Sequence, residues 1–468
     1  MEAIKIPVEK NKDYEMNIDN LGASGEGVGR IQGFTVFVEG ALPNERVLVK
    51  IVKIAKTYAY GKLLNIIQKS PDRVEPKCPY FKFCGGCQLQ HMSYEAQLEY
   101  KAQLVKDALE RIGHLENVEV LPAIGMDEPW KYRNKAQFPA GLIEGKPVLG
   151  FYMARSHRLV NIEDCPIQHD VNEKVTALVR KFIQTYNIPV YQEDTHKGII
   201  RHVVTRVGFR CNQLMVIIVT NGELPRKKEL VSILWEGLPA VTSIIQNYQT
   251  ERTNVVLGRK NITLWGSHYI MDAIGDLKFK ISPLSFYQVN PIQTEKLYAK
   301  ALEYAALTGG ETVIDAYCGI GTISLFLARK AAKVYGVEVI PQAIEDAKEN
   351  ARINGIENTE FFTGESEIII PKLTKLGVKA DVVVVDPPRK GCDEKLLQTI
   401  TEMSPKRMVY VSCNPATLAR DLRYMTEHGY QVREVQPVDM FPQSYHVETL
   451  VLLSRVHPHA PPLISRFS

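Results

Sequence analysis

The sequence predicts an α/β protein with three parts: an N-terminal β-barrel, a central mixed α/β domain and a C-terminal doubly wound, Rossmann-like domain. Two observations support this prediction. In residues 281–468, apolar strands alternate with helical segments, and Val382–Val385 is continuously apolar, as expected of a strand buried on both faces of a parallel sheet. In residues 1–70, short alternating runs are separated by glycine-rich turns, which is typical of a small barrel. The segments 71–92 and 125–280 form the predicted central domain.

Length and composition agree with this organisation. A chain of 468 residues is long enough for about three domains. Its 45% of hydrophobic residues and 24% of charged residues exclude a disordered or fibrous protein. The longest apolar runs, such as Met215–Val219, are too short to cross a bilayer, and the charged start of the chain does not resemble a secretory signal. We therefore expect a cytoplasmic protein that has no membrane partner.

Positive charge is concentrated at the end of the predicted barrel. The chain as a whole carries a formal charge of only +4. The stretch from Arg46 to Arg73 contains seven basic residues, and its only acidic residue is Asp72. Such a stretch is equally consistent with an RNA-binding face and with an ordinary solvated surface.

Four cysteines outside the C-terminal domain predict a metal site. Cys78, Cys84 and Cys87 have C-x5-C-x2-C spacing, and Cys165 follows much later. In a reducing compartment such cysteines indicate metal binding rather than disulfides, and four thiolates hold either Zn²⁺ or an iron–sulfur cluster. The three-plus-one arrangement favours iron–sulfur over zinc. A radical enzyme is disfavoured, because its three cysteines would follow C-x3-C-x2-C spacing.

An amphipathic helix follows the first three cysteines. Apolar residues recur at helical spacing from Tyr94 to Ile112, and Ser93 is suited to cap the helix start.

A glycine-containing loop near residue 319 predicts a nucleotide-like cofactor. The sequence from Val313 to Thr322 runs from a predicted strand into a predicted helix, and Gly319 and Gly321 allow a ligand to approach the backbone closely. Glu338 ends the next strand, where a carboxylate binds ribose hydroxyls. The full G-x-G-x-x-G pattern is absent, which favours a cofactor without a pyrophosphate, such as S-adenosylmethionine.

Two further loops follow strands of the same predicted sheet. Asp386, in the sequence DPPR, follows Val382–Val385, and Cys413 lies between the next strand and a helix. Ligands of doubly wound domains bind at this edge, and a helix N-terminus lowers the pKa of a thiol, so we expect Cys413 to be a reactive thiolate. The alternatives are a strand-ending turn at Asp386 and a buried structural cysteine. Considered alone, Glu448 is more typical of an exposed strand end, and His446 is more typical of a packed or surface histidine than of a base.

Taken together, these segments resemble the RNA uracil-5-methyltransferases that use S-adenosylmethionine. The resemblance covers nearly the whole chain and rests on FYQVN, DAYCGIGTISL, DPPRKG, SCNPATLARDL and YHVETLVLL, which occur in this order. The N-terminal barrel resembles a TRAM domain, which binds RNA. The four cysteines resemble the [4Fe-4S] site of the branch that methylates 23S ribosomal RNA, a site that the tRNA-modifying branch typically lacks.

The resemblance also implies roles for individual residues. Cys413 matches the nucleophile and Glu448 the general base. The residues that match the lining of the pocket for the cofactor and the target are Gln288, Tyr317, Glu338 and Asp386. The helical segment 93–124 is expected to pack on the methyltransferase domain. The implied substrate is a uridine flipped out of a single-stranded loop of 23S ribosomal RNA, without an obligate protein partner.

The cations and aromatic side chains of Trp130–Lys135 are suited to hold splayed bases, although a strand with a basic face has the same pattern. Alternative functions are the same chemistry on tRNA, methylation of an amino group or of cytosine C5, and metal-stabilised RNA binding without catalysis. The Cys413 and Glu448 pair disfavours methylation of an amino group, which needs no cysteine nucleophile. The sequence around Cys413 favours uracil over cytosine.

Overall fold

The computed structural model describes residues 6–456. Residues 1–5 and 457–468, which belong to the predicted first and last domains, lie outside the described part of the chain. Within residues 6–456, no helix is both long enough and apolar enough to cross a membrane.

The N-terminal part is a closed five-stranded barrel, as predicted. Its strands are β1 (Asp13–Leu21), β2 (Gly27–Ile31), β3 (Phe34–Glu39), β4 (Arg46–Ile54) and β5 (Tyr58–Gln68). Their order is β1-β2-β3-β5-β4, and β4 pairs with β1 to close the barrel. Alternate residues point inward, so that Val36, Val47 and Val49 are fully buried. At Gly29, a β-carbon would lie 2.0 Å from the carbonyl oxygen of Asn17, so this close approach of β1 and β2 requires glycine.

The cysteine-containing segment connects the barrel to helix α1 (Tyr94–Arg111). This helix begins as the sequence predicts, because the Ser93 hydroxyl accepts a hydrogen bond from the backbone N–H of Ala96 at 3.4 Å.

The central part is built on a seven-stranded sheet with the order β12-β11-β10-β9-β6-β7-β8. These strands are β6 (Lys135–Ile143), β7 (Lys146–Tyr152), β8 (Leu159–Asn161), β9 (Ile200–Gly208), β10 (Gln213–Thr220), β11 (Val241–Tyr248) and β12 (Lys260–Gly266). Helices α2 (Val171–Thr185) and α3 (Lys227–Gly237) bury apolar side chains against this sheet. A hairpin of β13 (Ile270–Ile274) and β14 (Leu277–Ile281) leads into the last part of the chain.

The C-terminal part is a second seven-stranded sheet, with the order β17-β16-β15-β18-β19-β21-β20. Its strands are β15 (Thr312–Ala316), β16 (Lys333–Glu338), β17 (Thr359–Thr363), β18 (Val382–Val385), β19 (Arg407–Ser412), β20 (Tyr430–Val438) and β21 (Glu448–Arg455). Its helices are α4 (Pro291–Ala305), α5 (Thr322–Ala328), α6 (Pro341–Ile353), α7 (Ser366–Lys375), α8 (Glu394–Met403) and α9 (Pro415–Glu427). The predicted Rossmann-like fold is confirmed, and all four residues of β18 are fully buried.

Strand direction decides which loops of this sheet meet. Strands β15, β16, β18 and β19 are parallel, so the loops that follow them lie at one edge. Strand β21 runs antiparallel to β19, with Thr449 opposite Ser412. The start of β21, which is Glu448, therefore lies at the same edge as the end of β19.

Helix α1 packs on the C-terminal sheet rather than on the central one. It contacts α9 and β20, and Val105, Ala108 and Leu109 belong to the same apolar core as α9. The following segment then runs beside β20, where Val120 and Ile124 form isolated bridges with that strand.

Candidate active site

All seven residues predicted to be catalytic or cofactor-binding line one cavity, whose volume is about 1070 Å³. They are Gln288, Tyr317, Gly319, Glu338, Asp386, Cys413 and Glu448. The cavity lies at the edge where the loops after the parallel strands meet. Strands far apart in sequence therefore bring these side chains to one place.

One end of the cavity is built by the loop after β15 and the end of β16. Tyr317 and Gly319 have positive φ angles, of 70° and 55°, which turn the chain sharply toward helix α5. The backbone N–H of Gly319 donates to one oxygen of Glu338 at 3.2 Å, and the N–H of Ile340 donates to the other at 2.9 Å. These bonds fix the carboxylate, and its remaining lone pairs are free to accept hydroxyl groups.

Sequence reasoning missed a buried carboxyl beneath this loop. Asp315, at the end of β15, is fully buried and accepts a hydrogen bond from the Ser324 hydroxyl at 2.5 Å. Burial raises the pKa of Asp315 to about 7, and the carboxyls of Asp386 and Glu338 add to the shift. The sequence offered one indication of this buried carboxyl, which is that Asp315 lies near the end of an otherwise largely apolar strand.

Cys413 and two carboxyl groups form the chemical centre of the cavity. Glu448 is buried, and Asp386 and Cys413 are half-buried. Burial raises the pKa of Asp386 to about 7, and burial together with Asp386 raises the pKa of Glu448 well above its ordinary range. The structure therefore places Glu448 inside the protein rather than at an exposed strand end.

The expectation that the pKa of Cys413 is lowered is wrong. Burial, together with the carboxyl groups of Glu448 and Asp386, raises the pKa of the Cys413 thiol to about 11, and Arg389 opposes this shift. Helix α9 does begin directly after this residue, with Asn414 as its cap. Desolvation and two nearby carboxyl groups thus oppose the effect expected of the helix N-terminus and favour the protonated thiol.

His446 lines the same cavity next to these groups. Its ring packs on Tyr445, with centroids 4.3 Å apart. Burial and the positive charges of Arg389, Lys101 and Arg133 lower the pKa of His446 to about 4. The imidazole is therefore neutral at physiological pH.

Helix α1 holds the loop that carries His446. Lys101 and Asp439 form a completely buried ion pair at 2.5 Å, and the Tyr94 hydroxyl donates to the other Asp439 oxygen at 2.9 Å. The backbone N–H of Gln443 donates to the Gln97 side chain at 3.0 Å. Sequence reasoning did not identify these residues, because the partners lie more than 300 positions apart in the chain.

A second cavity, of about 1330 Å³, lies between the barrel, helix α1 and the start of helix α9. Its walls include Phe37 of the barrel and Tyr100 of α1. Arg389, Cys413 and His446 line both cavities. Cys413 is therefore reached from two sides.

The four predicted metal ligands also line the first cavity, although they are far from Cys413 in the sequence. They are Cys78, Cys84, Cys87 and Cys165. Burial raises the pKa of Cys87 to about 12 and that of Cys165 to about 11, and charge on the other cysteines adds to each shift. Within residues 6–456, however, no three potential ligands lie close enough to hold a single metal ion.

Soft thiolates suit both Zn²⁺ and an iron–sulfur cluster. The iron–sulfur site stays a prediction.

The basic stretch from Arg46 to Arg73 is less positive in the folded protein than in the sequence. Acidic residues from earlier in the chain neutralise three of its cations: Arg46 with Glu15 at 2.6 Å, Lys50 with Asp13 at 3.6 Å and Arg73 with Glu45 at 2.5 Å. Four exposed lysines have no carboxylate partner among the described residues; they are Lys53, Lys56, Lys62 and Lys69.

The segment Trp130–Lys135 does not offer the aromatic face that its composition suggests. Tyr132 is only 1% exposed and donates to the carbonyl of Pro442 at 2.9 Å, so it is part of the core. Lys131 forms ion pairs with Asp164 and Asp170. Of the segment's cations, only Arg133 and Lys135 line the first cavity.

Comparisons with known proteins agree with this geometry. Residues 251–456 match the model of the tRNA (Uracil-5-)-methyltransferase family, and residues 7–64 match the TRAM domain. An RNA methyltransferase of Halalkalibacterium halodurans is 55% identical, over 96% of this chain and 98% of that protein. One of Clostridium tetani is 54% identical over the same shares of the two chains.

A solved structure matches the whole architecture. It is the Pyrococcus abyssi tRNA (uracil-54, C5)-methyltransferase in complex with S-adenosyl-L-homocysteine, which is 28% identical. The match has a TM-score of 0.76 and covers 94% of this chain and 100% of that one. These comparisons favour uracil over the amino-group and cytosine alternatives.

Proposed function

Because the chain belongs to the uracil-5 RNA methyltransferase family, whose methyl donor is S-adenosylmethionine, we propose that it methylates C5 of a uridine in 23S ribosomal RNA through a covalent bond between Cys413 and C6. The observation that carries this proposal is the position of Cys413. It lines both cavities, and the carboxyl groups of Asp386 and Glu448 lie in the same cavity wall. One cavity suits the cofactor, and the other gives RNA access to the thiol.

The residues of the first cavity fit the cofactor. Gly319 leaves the backbone open, with no heavy atom within 4 Å of the position where a β-carbon would stand. The fixed carboxylate of Glu338 is suited to ribose hydroxyls, and Tyr317, Gln288 and Asp386 complete the wall. When bound, S-adenosylmethionine supplies an electrophilic methyl group, together with a positive sulfonium charge that favours the thiolate form of Cys413.

The proposed reaction uses two groups of the protein. The Cys413 thiolate forms a bond to C6 of the uracil, and the electron pair of the C5–C6 double bond moves toward O4, which makes C5 nucleophilic. After C5 has accepted the methyl group, it still carries its original proton. Glu448 removes this proton, the C5–C6 double bond forms again, and the bond between Cys413 and C6 breaks, which releases the thiolate.

Burial of Glu448 suits this role. A carboxylate in a desolvated wall is a stronger base than one in water, as its raised pKa indicates. Because neighbouring bases cover the target carbon until the nucleotide is flipped out, the uridine has to enter the cavity as a single extruded base.

We also propose the roles of the three parts of the chain. Residues 1–70 act as a TRAM-like RNA-binding barrel, and residues 281–468 as the methyltransferase domain, on which the segment 93–124 packs. The central domain, 71–92 with 125–280, holds a [4Fe-4S] cluster on Cys78, Cys84, Cys87 and Cys165. Such a cluster would cross-link two distant segments of the cavity wall and stabilise them.

The four cysteines are the observation that favours 23S ribosomal RNA as substrate, because they resemble the site of the ribosomal branch. The structural match with a tRNA (uracil-54, C5)-methyltransferase favours tRNA as the second candidate. Mapping of 5-methyluridine in 23S ribosomal RNA and in tRNA, from cells with and without the gene, separates the two. Loss of the mark from ribosomal RNA alone supports the proposal; loss from tRNA alone refutes it.

A further inference from the structure

The wall of the first cavity carries charges of both signs. The loops of the C-terminal sheet contribute carboxylates such as Glu338 and the cations Arg389 and Lys390. The central part of the chain contributes Arg133 and Lys135. These cations attract an anionic group that enters the cavity.

Arg133 and Lys135 lie where the chain enters strand β6, which begins at Lys135. Both side chains are half-buried and line the cavity, whereas Tyr132 and Asn134 are buried, and this alternation is typical of an extended chain. The Asn134 amide donates to the backbone carbonyl of Gln288 at 2.9 Å and thereby fixes this stretch next to the cofactor wall. The two cations are thus held on one face, two residues apart.

Neither cation has a carboxylate partner among the described residues. The Nε atom of Arg133 is buried without a hydrogen-bond partner. Lys135 pairs across the sheet with Arg206, another buried cation, whose guanidinium donates to the carbonyls of Pro283 and Ser285. Burial and the charges of Arg206 and Arg133 lower the pKa of Lys135 to about 7. Cations that have no carboxylate partner among the described residues are unfavourable in a partly desolvated wall, and a bound anion relieves this.

We propose that Arg133 and Lys135 bind a backbone phosphate of the RNA next to the flipped-out uridine, inside the first cavity. This inference rests on the proposed function. A nucleotide that enters the cavity brings its own phosphodiester with it, and the pair receives that charge. Both side chains suit a phosphate group. The arginine guanidinium can donate two parallel hydrogen bonds to phosphate oxygens, and the lysine ammonium supplies a compact positive charge.

The competing anion is the carboxylate of the cofactor, which also enters this cavity. Two measurements distinguish the RNA phosphate from the cofactor carboxylate. The first is the dissociation constant for S-adenosylmethionine, measured by calorimetry. The second is the dissociation constants for in vitro transcribed 23S ribosomal RNA and tRNA, measured at several KCl concentrations. The variants are Lys135→Met and Arg133→Met. Lys181→Met, on the exposed face of α2 and away from both cavities, is the matched control.

For RNA, we expect each cavity variant to bind about tenfold more weakly or worse, because a charged hydrogen bond to phosphate is lost. The slope of log K against log salt should become smaller by about 0.7, the value for one contact with a single-stranded phosphate. Affinity for S-adenosylmethionine should be unchanged, and so should RNA binding by Lys181→Met. The melting temperature of Lys135→Met should equal or exceed that of the wild type, since a partly desolvated charge is removed.

Unchanged RNA affinity and salt slope in both cavity variants would overturn the proposal. A selective loss of affinity for S-adenosylmethionine would overturn it too, and would assign the pair to the cofactor's carboxylate. Failure of the proposed function has a different signature: wild-type protein then binds RNA and S-adenosylmethionine but methylates neither RNA.

Discussion

The raised pKa of Cys413 makes the reactivity of this thiol a direct test of the site's electrostatics. In the protein without ligands, burial and the carboxyl groups of Glu448 and Asp386 hold the pKa near 11, against an ordinary value of 9.0. Only the thiolate reacts with an alkylating reagent such as iodoacetamide. We therefore expect Cys413 to be almost unreactive in the free protein at neutral pH.

The size of the effect follows from the two values. At pH 8, a thiol of pKa 11 is about 0.1% ionised and one of pKa 9 is about 9% ionised, a difference of about 100-fold. Below pH 10, the rate of Cys413 alkylation should rise about tenfold for each pH unit. Glu448→Gln and Asp386→Asn should each accelerate the reaction, because each removes a negative charge. Arg389→Met should slow it, because it removes a cation that lowers the pKa.

The assay is alkylation over time from pH 7 to 10, quantified for each of the eight cysteines by peptide mass spectrometry. Limited access to the half-buried thiol slows alkylation equally at every pH, so the shape of the profile decides. A rate that levels off near pH 8 would refute the reasoning. So would identical profiles for wild type, Glu448→Gln and Arg389→Met.

Three other predictions concern the base, the cysteines and the barrel. Glu448→Gln should accumulate a denaturant-resistant protein–RNA adduct on ordinary uridine RNA, because methylation proceeds but elimination stalls. Cys413→Ala should form no adduct. Full turnover by Glu448→Gln would assign the role of the base to another group. Protein purified without oxygen should be brown and contain iron and sulfide, and Cys87→Ser should contain less of both, whereas stoichiometric zinc would contradict the cluster. Replacing Lys53 and Lys62 by methionine should reduce the slope of log K against log salt for RNA binding by up to about 1.4. An unchanged slope would show that these lysines belong to an ordinary solvated surface.

The order and type of the main elements were predictable from the sequence, because they depend on local patterns. Val382–Val385 is apolar on both faces, which is the pattern expected of a buried parallel strand. Ser93 caps α1, and Asn414 with Pro415 starts α9, by contacts within a few residues. The positions of Gly319, Glu338, Asp386 and Cys413 at one sheet edge followed from strand direction alone.

Other features depended on groups that are distant in sequence, and only the tertiary structure decided them. Glu448 is buried because β21 runs antiparallel beside β19, which no local pattern indicates. The pKa of Cys413 was predicted with the wrong sign, because the helix N-terminus is visible in the sequence and the neighbouring carboxyl groups are not.

The same division explains the basic segments. Arg46 and Arg73 read as free charge in the sequence, but the folded barrel pairs them with Glu15 and Glu45. Lys135 reads as an ordinary strand lysine, but sheet pairing places Arg206 beside it and leaves it without a carboxylate partner among the described residues. Local propensity and chain direction are therefore determined by the sequence of each segment. Electrostatics act through space, so the charge state of the site is determined only when the fold brings distant groups together.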